Sequence, residues 1–182
     1  MEGSRRPVHD LWNDQAFGAE PDAGYDAKVK QWVAKAIEIE KEAREHPPSW
    51  SPNQAVGPPN TKPMGDLVTA WATANQSAGK EWLELDYVPP FIAHQVRIHE
   101  TYNPGAVVEL VLKGEDGQEI VRIPVVATAR TAPEWLEVSF DATAVPVQSV
   151  RVILDTSRVA GWNEIDAVEL VGPTRRAWAE AA

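Results

Sequence analysis

From Glu81 to Val171 the chain is a succession of short runs that alternate apolar and polar residues or stay apolar throughout, each cut off by a turn signal. Seven runs read as strands: EWLELDY (81–87), HQVRIHE (94–100), AVVELVLK (106–113), QEIVRIPVV (118–126), EWLEVSF (134–140), SVRVILD (149–155) and IDAVELV (165–171). A period of two sends successive side chains to opposite faces. In the second run this groups His94, Val96 and Ile98 on one face and Gln95, Arg97 and His99 on the other. Asp116-Gly117 supplies the positive φ that a short hairpin turn needs. Many short strands with no helix between them leave a sandwich as the solution, so the expected fold is an all-β antiparallel β-sandwich.

The N-terminal third has a different texture. Between Asp26 and His46, Val29, Trp32, Val33, Ala36 and Ile37 recur at the spacing of one helix face, and the Pro47-Pro48 pair stops the pattern. This predicts an amphipathic helix that either packs on the main domain or docks on a partner. From Trp50 to about Ala78, Pro, Gly, Asn, Ser and Thr break every period, which predicts a long committed loop whose Trp50, Val56, Met64, Leu67 and Trp71 wrap the core. With 182 residues, 43% of them hydrophobic, the chain can build one core and an appendage. The expected division is an extension over 1–48, a sandwich over 49–172, and a tail over 173–182 that starts a short helix or frays.

Charge and motifs narrow the chemistry. The 27 acidic residues against 17 basic ones, a formal charge of −10, make nucleic acid an unfavourable partner. No transmembrane segment is expected, since no window approaches the roughly 18 apolar residues a spanning helix needs. The N-terminus MEGSRRPVHDLWND lacks the apolar stretch of a signal peptide. As written the chain reads as soluble, and as exported or cell-surface if a signal peptide has been removed. Without cysteine it forms neither disulfides nor thiolate metal sites. The nucleophile elbow, the phosphate loop, the dinucleotide fingerprint and the zinc-protease helix are all missing, and a non-enzymatic role is expected. His9, His46, His94 and His99 lie in separate contexts, and the last two fall on opposite strand faces. Glu164 and Asp166, at i and i+2, put two carboxylates on one strand face, where they serve acid/base work, calcium, or loop fastening through backbone amides.

The blocks NQAVGPPNT, GDLVTAWATA, KEWLELDY, VRIHETYNPGAVVELVL and VRVILDTSRVAGWNEIDAVELVG, in that order, resemble a bacterial group of discoidin-like domains. They are also similar to the domain that precedes the leucine-rich repeats in one eukaryotic F-box protein. The resemblance covers about Trp50 to Gly172. It implies a galactose-binding-like jelly roll whose usual role is adhesion or ligand binding without catalysis, and whose bacterial relatives are often attached to exported proteins. The turn residues Gly57 to Asn60 and Gly105 are explained by geometry, and Trp71 and Trp82 by the core.

Asp66, Glu100, Asn103, Glu164 and Asp166 are polar members at strand ends or in loops. If the sandwich sets ETYN beside WNEID, oxygen-bearing side chains converge there. Asp66, Glu100, Glu164 and Asp166 would then suit calcium, with a metal-free hydrogen-bond network as the alternative and no cofactor required. For a ligand, Trp50 or Trp162 would be the apolar platform, with Glu100, Tyr102, Asn103 and Asn163 as its polar surroundings. Two functions stay open. One is a binding module for carbohydrate or another ligand through loops at one end of the sandwich. The other is a structural or adaptor subunit with a protein partner, docking through the helix and the sandwich surface. A hydrolase would rest on the carboxylate pair alone.

Overall fold

In the computed structural model, residues 23–45, 47–77, 79–126 and 134–182 are described. The expectations placed on His9, on His46 and on the turn at 131–133 fall outside them. The chain divides into two units, Met1–His46 and Pro47–Ala182. In the first, α1 (Ala23–Glu45) realises the helical period, and Val29, Trp32, Val33 and Ile37 on its apolar face are exposed. The helix ends two residues before Pro47, whose missing amide removes a donor the next turn would use. Among the described residues no helix is long and apolar enough to cross a membrane.

The second unit is built from β1 (Trp71–Ala72), β2 (Lys80–Phe91), β3 (Gln95–Tyr102), β4 (Val107–Lys113), β5 (Glu119–Pro124), β6 (Glu134–Ser139), β7 (Val147–Asp155), β8 (Glu164–Val171) and β9 (Arg176–Trp178). All seven runs read from the sequence are strands. Two antiparallel sheets result, one in the order β1-β8-β3-β6 with β9 also on β8, the other in the order β2-β7-β4-β5. The chain repeatedly crosses between the sheets, the traffic of a jelly roll. Leu83, Leu85 and Tyr87 of β2, Val150, Val152 and Leu154 of β7, Val96 and Ile98 of β3, and Ile165, Val168 and Leu170 of β8 meet in one core between the sheets. Burying a Val, Leu or Ile side chain contributes roughly 1.5–3 kcal/mol, so this alternation is the main driving term of the fold.

The tail departs from expectation. Instead of starting a helix or fraying, it forms β9, buries Ala179 in the core cluster and bonds to β2 through Asp86 N to Ala181 O and Glu180 N to Asp86 O. A second departure positions the site. Between the pairs His99↔Ala167 and Glu100↔Ile165, β8 carries one extra residue, Asp166; between Glu100↔Ile165 and Tyr102↔Glu164, β3 carries one extra residue, Thr101. Such paired bulges re-aim side chains at a sheet end.

Candidate ligand-binding site

The pairs Lys80↔Asp155, Val107↔Leu154 and Tyr102↔Glu164 show that β2, β4 and β8 begin, and β3 and β7 finish, at one end of the sandwich. The 103–106 and 156–163 links and the long 50–79 segment therefore gather there. Their order is written in backbone and side-chain bonds.

Two carboxylates of β8 fasten the long segment. Asp166 Oδ1 accepts from Asn60 N at 3.2 Å and Thr61 N at 3.1 Å, while its Oδ2 accepts from His99 Nδ1 at 2.9 Å. Glu164 Oε2 accepts from Leu67 N at 3.3 Å. The two carboxylates flank Ile165, which points into the core, so both face outward from the sheet, where the segment lies. This is the loop-fastening use of the pair. Beyond it, β1 pairs with the start of β8, and Thr73 N donates to Asn163 O at 3.1 Å. Glu81 closes the next turn by accepting from Ala74 N at 2.7 Å and Asn75 N at 3.0 Å.

Trp50 sits at the mouth of this arrangement in left-handed backbone geometry, φ 54°, unusual for a bulky residue. Its N–H donates to Val68 O at 3.3 Å, its carbonyl accepts from Ala72 N at 3.3 Å, and its indole Nε1 donates to Asp66 Oδ1 at 3.1 Å. Trp162 is held from the other side. Asn103 Nδ2 donates to Trp162 O at 2.7 Å, and Asn163 Nδ2 donates back to Asn103 O at 2.6 Å. Gly161 lets the loop pass close to this brace, since a Cβ there would stand 2.6 Å from Asn103 Nδ2, and its φ of +93° suits glycine.

These pieces enclose a cavity of about 700 Å³ whose wall includes Trp50, Trp71, Trp82, Trp162, Asp66, Thr73 and Glu81. Trp50, Trp82 and Trp162 remain 41%, 57% and 39% exposed, an unusual expenditure of large aromatic surface at one spot. The guanidinium carbon of Arg151 lies 4.4 Å from the Trp82 ring centroid, and Arg151 Nε is tied to Glu84 Oε2 at 2.5 Å. Behind the cavity wall, burial pushes the carboxyl of Glu164 up to about 7; the Leu67 amide opposes that shift, and a hydrogen bond with Asp66 and its negative charge add to it.

Of the residues singled out in the sequence, Trp50, Trp162 and Asp66 line the cavity. Asn103 and Asn163 brace the loop behind Trp162, and ETYN does lie beside WNEID. Tyr102 is half-buried opposite Glu164 and is outside the cavity wall. The oxygen cluster does not assemble as expected. Glu100 pairs directly with Ile165, shares the core-facing parity of Val96 and Ile98, and accepts from Gly105 N at 2.9 Å, whereas Glu164 and Asp166 face the other side of the sheet. Among the described residues no group of three His, Asp or Glu side chains could hold a metal ion. Trp82 was expected in the core and instead faces outward, in the same parity as Glu84 and Asp86. Trp71 does join the core while one edge of it reaches the cavity. Trp82, Thr73 and Glu81 were missed as site residues; the alternation of EWLELDY, which puts Trp82 on the polar face, was the available signal for the first.

A comparison with curated proteins finds no match. Among solved structures, the chain is similar to the lectin binding domain of lectinolysin, determined as a histidine mutant in complex with Lewis b, with a TM-score of 0.51 and 19% identity over 72% of this chain and 84% of that one. That likeness establishes a shared sandwich architecture. The family model described as Pappalysin-1, SD scarf domain, C-terminal, matches residues 21–180, nearly the whole chain including α1, and the chain belongs to that family.

Proposed function

We propose that the chain is a non-catalytic binding module of the galactose-binding-like type, which recognises carbohydrate through the loop-end cavity walled by four tryptophans. The observation that carries this reading is the concentration of exposed indoles around a cavity of about 700 Å³, the size class of small-ligand sites, held rigid by a hydrogen-bonded loop network. Indole faces offer apolar area against the C–H faces of a sugar ring, and Asp66, Glu81 and Thr73 offer polar partners to its substituents. The lectin domain found among similar structures, which was solved with Lewis b bound, adds an architectural precedent. The carboxylates that would have suggested hydrolysis, Glu164 and Asp166, are buried and engaged with backbone amides of the covering loop.

The test is a glycan array followed by calorimetric titration of the best ligand. Trp82→Ala and Trp162→Ala should each weaken binding roughly tenfold or more, as truncation of a central aromatic anchor does, with the thermal midpoint little changed. Unaltered affinity in both variants would sink the site.

The adaptor reading keeps one observation in its favour, the exposed Val29, Trp32, Val33 and Ile37 along α1. If α1 is the docking surface, Trp32→Ala weakens binding of the protein partner while Trp82→Ala and Trp162→Ala leave it unchanged, so the two surfaces are tested separately.

A further inference from the structure

The cavity's charge is one-sided. Asp66 and Glu81 present carboxylates, which only accept, while Thr73 Oγ1 accepts from Asn163 N at 3.3 Å and keeps its O–H as a donor. The indole N–H of Trp50 is spent on Asp66. No Lys, Arg or His is among the described residues that line the wall. A wall with two carboxylates, several indole faces and no cationic side chain among its described residues complements a group that donates hydrogen bonds and carries positive charge. An ammonium has three N–H donors and no acceptor, and tryptophan is the aromatic side chain that attracts a cation most strongly.

The molecule contains its own instance of that attraction. The Arg151 guanidinium lies over Trp82 at 4.4 Å from the ring centroid, so the indole that borders the cavity already takes a cation on its ring. The chain-wide excess of acidic over basic residues, 27 against 17, adds a long-range field of the same sign. We propose that the cavity takes a sugar bearing a free amine, a hexosamine unit in its ammonium form, with the ring against the indoles and the ammonium toward Asp66 and Glu81. This rests on the carbohydrate reading and specifies its ligand.

The experiment titrates the full chain calorimetrically with three oligosaccharide series of equal length and linkage, at a pH where the amine is protonated: β-1,4-linked glucosamine, its N-acetylated counterpart, and the corresponding glucose oligomers. The glucosamine series should bind at least tenfold more tightly than the other two, and Asp66→Asn and Glu81→Gln should each erase most of that preference. Trp162→Ala removes no charge and should also abolish binding, which distinguishes the cavity from general attraction to an acidic surface. Glucosamine binding that ignores both Trp162→Ala and Trp82→Ala overturns the proposal. Equal or tighter binding of the acetylated or glucose series, lost in Trp162→Ala, overturns the amine while the carbohydrate site stands. No binding of any series by the folded chain, and none on the array, removes both. Choline bound as tightly as the glucosamine oligomers, with the glucose series silent, overturns the sugar and leaves only a cation cage.

Discussion

Trp50 is kept in a backbone conformation that costs a bulky residue of order 1–3 kcal/mol, and three hydrogen bonds, two through its own backbone and one through its indole, hold it there. The indole bond ends on Asp66, whose negative charge adds to the rise in the Glu164 pKa, so the cavity mouth is coupled electrostatically to a buried carboxyl. That carboxyl makes a testable pH dependence. The folded state holds the Glu164 pKa at about 7, above its ordinary value of 4.5. Between those pH values the folded chain keeps a proton that the unfolded chain has lost, so stability falls as pH rises through that window and levels off above it. Glu164→Gln should flatten this slope in urea unfolding measured from pH 4 to 8, and leave the variant more stable than the parent at pH 8 by up to about 3 kcal/mol. An unchanged slope would place the titration elsewhere.

At the scale of elements, two short strands matter more than their length suggests. β1 has two residues and β9 three, and neither produces a period that a sequence can display. Yet β1 ties the Trp50 segment to β8, and β9 places Ala179 in the core, with its carbonyl accepting from Gly57 N at 2.9 Å. Truncation after Gly172 should therefore lower stability by about 3 kcal/mol or more, read as a shifted urea midpoint, where a frayed tail would cost nothing measurable. The longer strands were legible because their alternation reports which face is buried. The same alternation put Glu164 and Asp166 on one face correctly. It could not announce the bulges at Asp166 and Thr101, which depend on how β3 and β8 pair and which leave Glu100 on the opposite face.

For the whole molecule, the consequence of that split is thermodynamic. A cation held by Asp66, Glu100, Glu164 and Asp166 together at 100 times its dissociation constant would add about 2.7 kcal/mol. With Glu100 on one face of the sheet and Glu164 and Asp166 on the other, thermal unfolding in calcium and in EDTA should give the same midpoint beyond the general effect of ionic strength. A reversible calcium-specific rise would show that these side chains regroup. The sequence by itself determined the strands of the sandwich, the helix and the polar character of ETYN and WNEID, because a strand's period, a helix's period and the conformational demands of Gly, Pro and Asn are local quantities; that the two segments meet was decided by the pairing of β3 with β8. The tertiary structure decided which tryptophans are spent in the core and which stand around a cavity. Trp50, Trp71, Trp82 and Trp162 are far apart along the chain, and only strand pairing and loop closure bring them to one wall. An indole is equally suited to either fate, and the choice depends on neighbours that the local sequence does not contain.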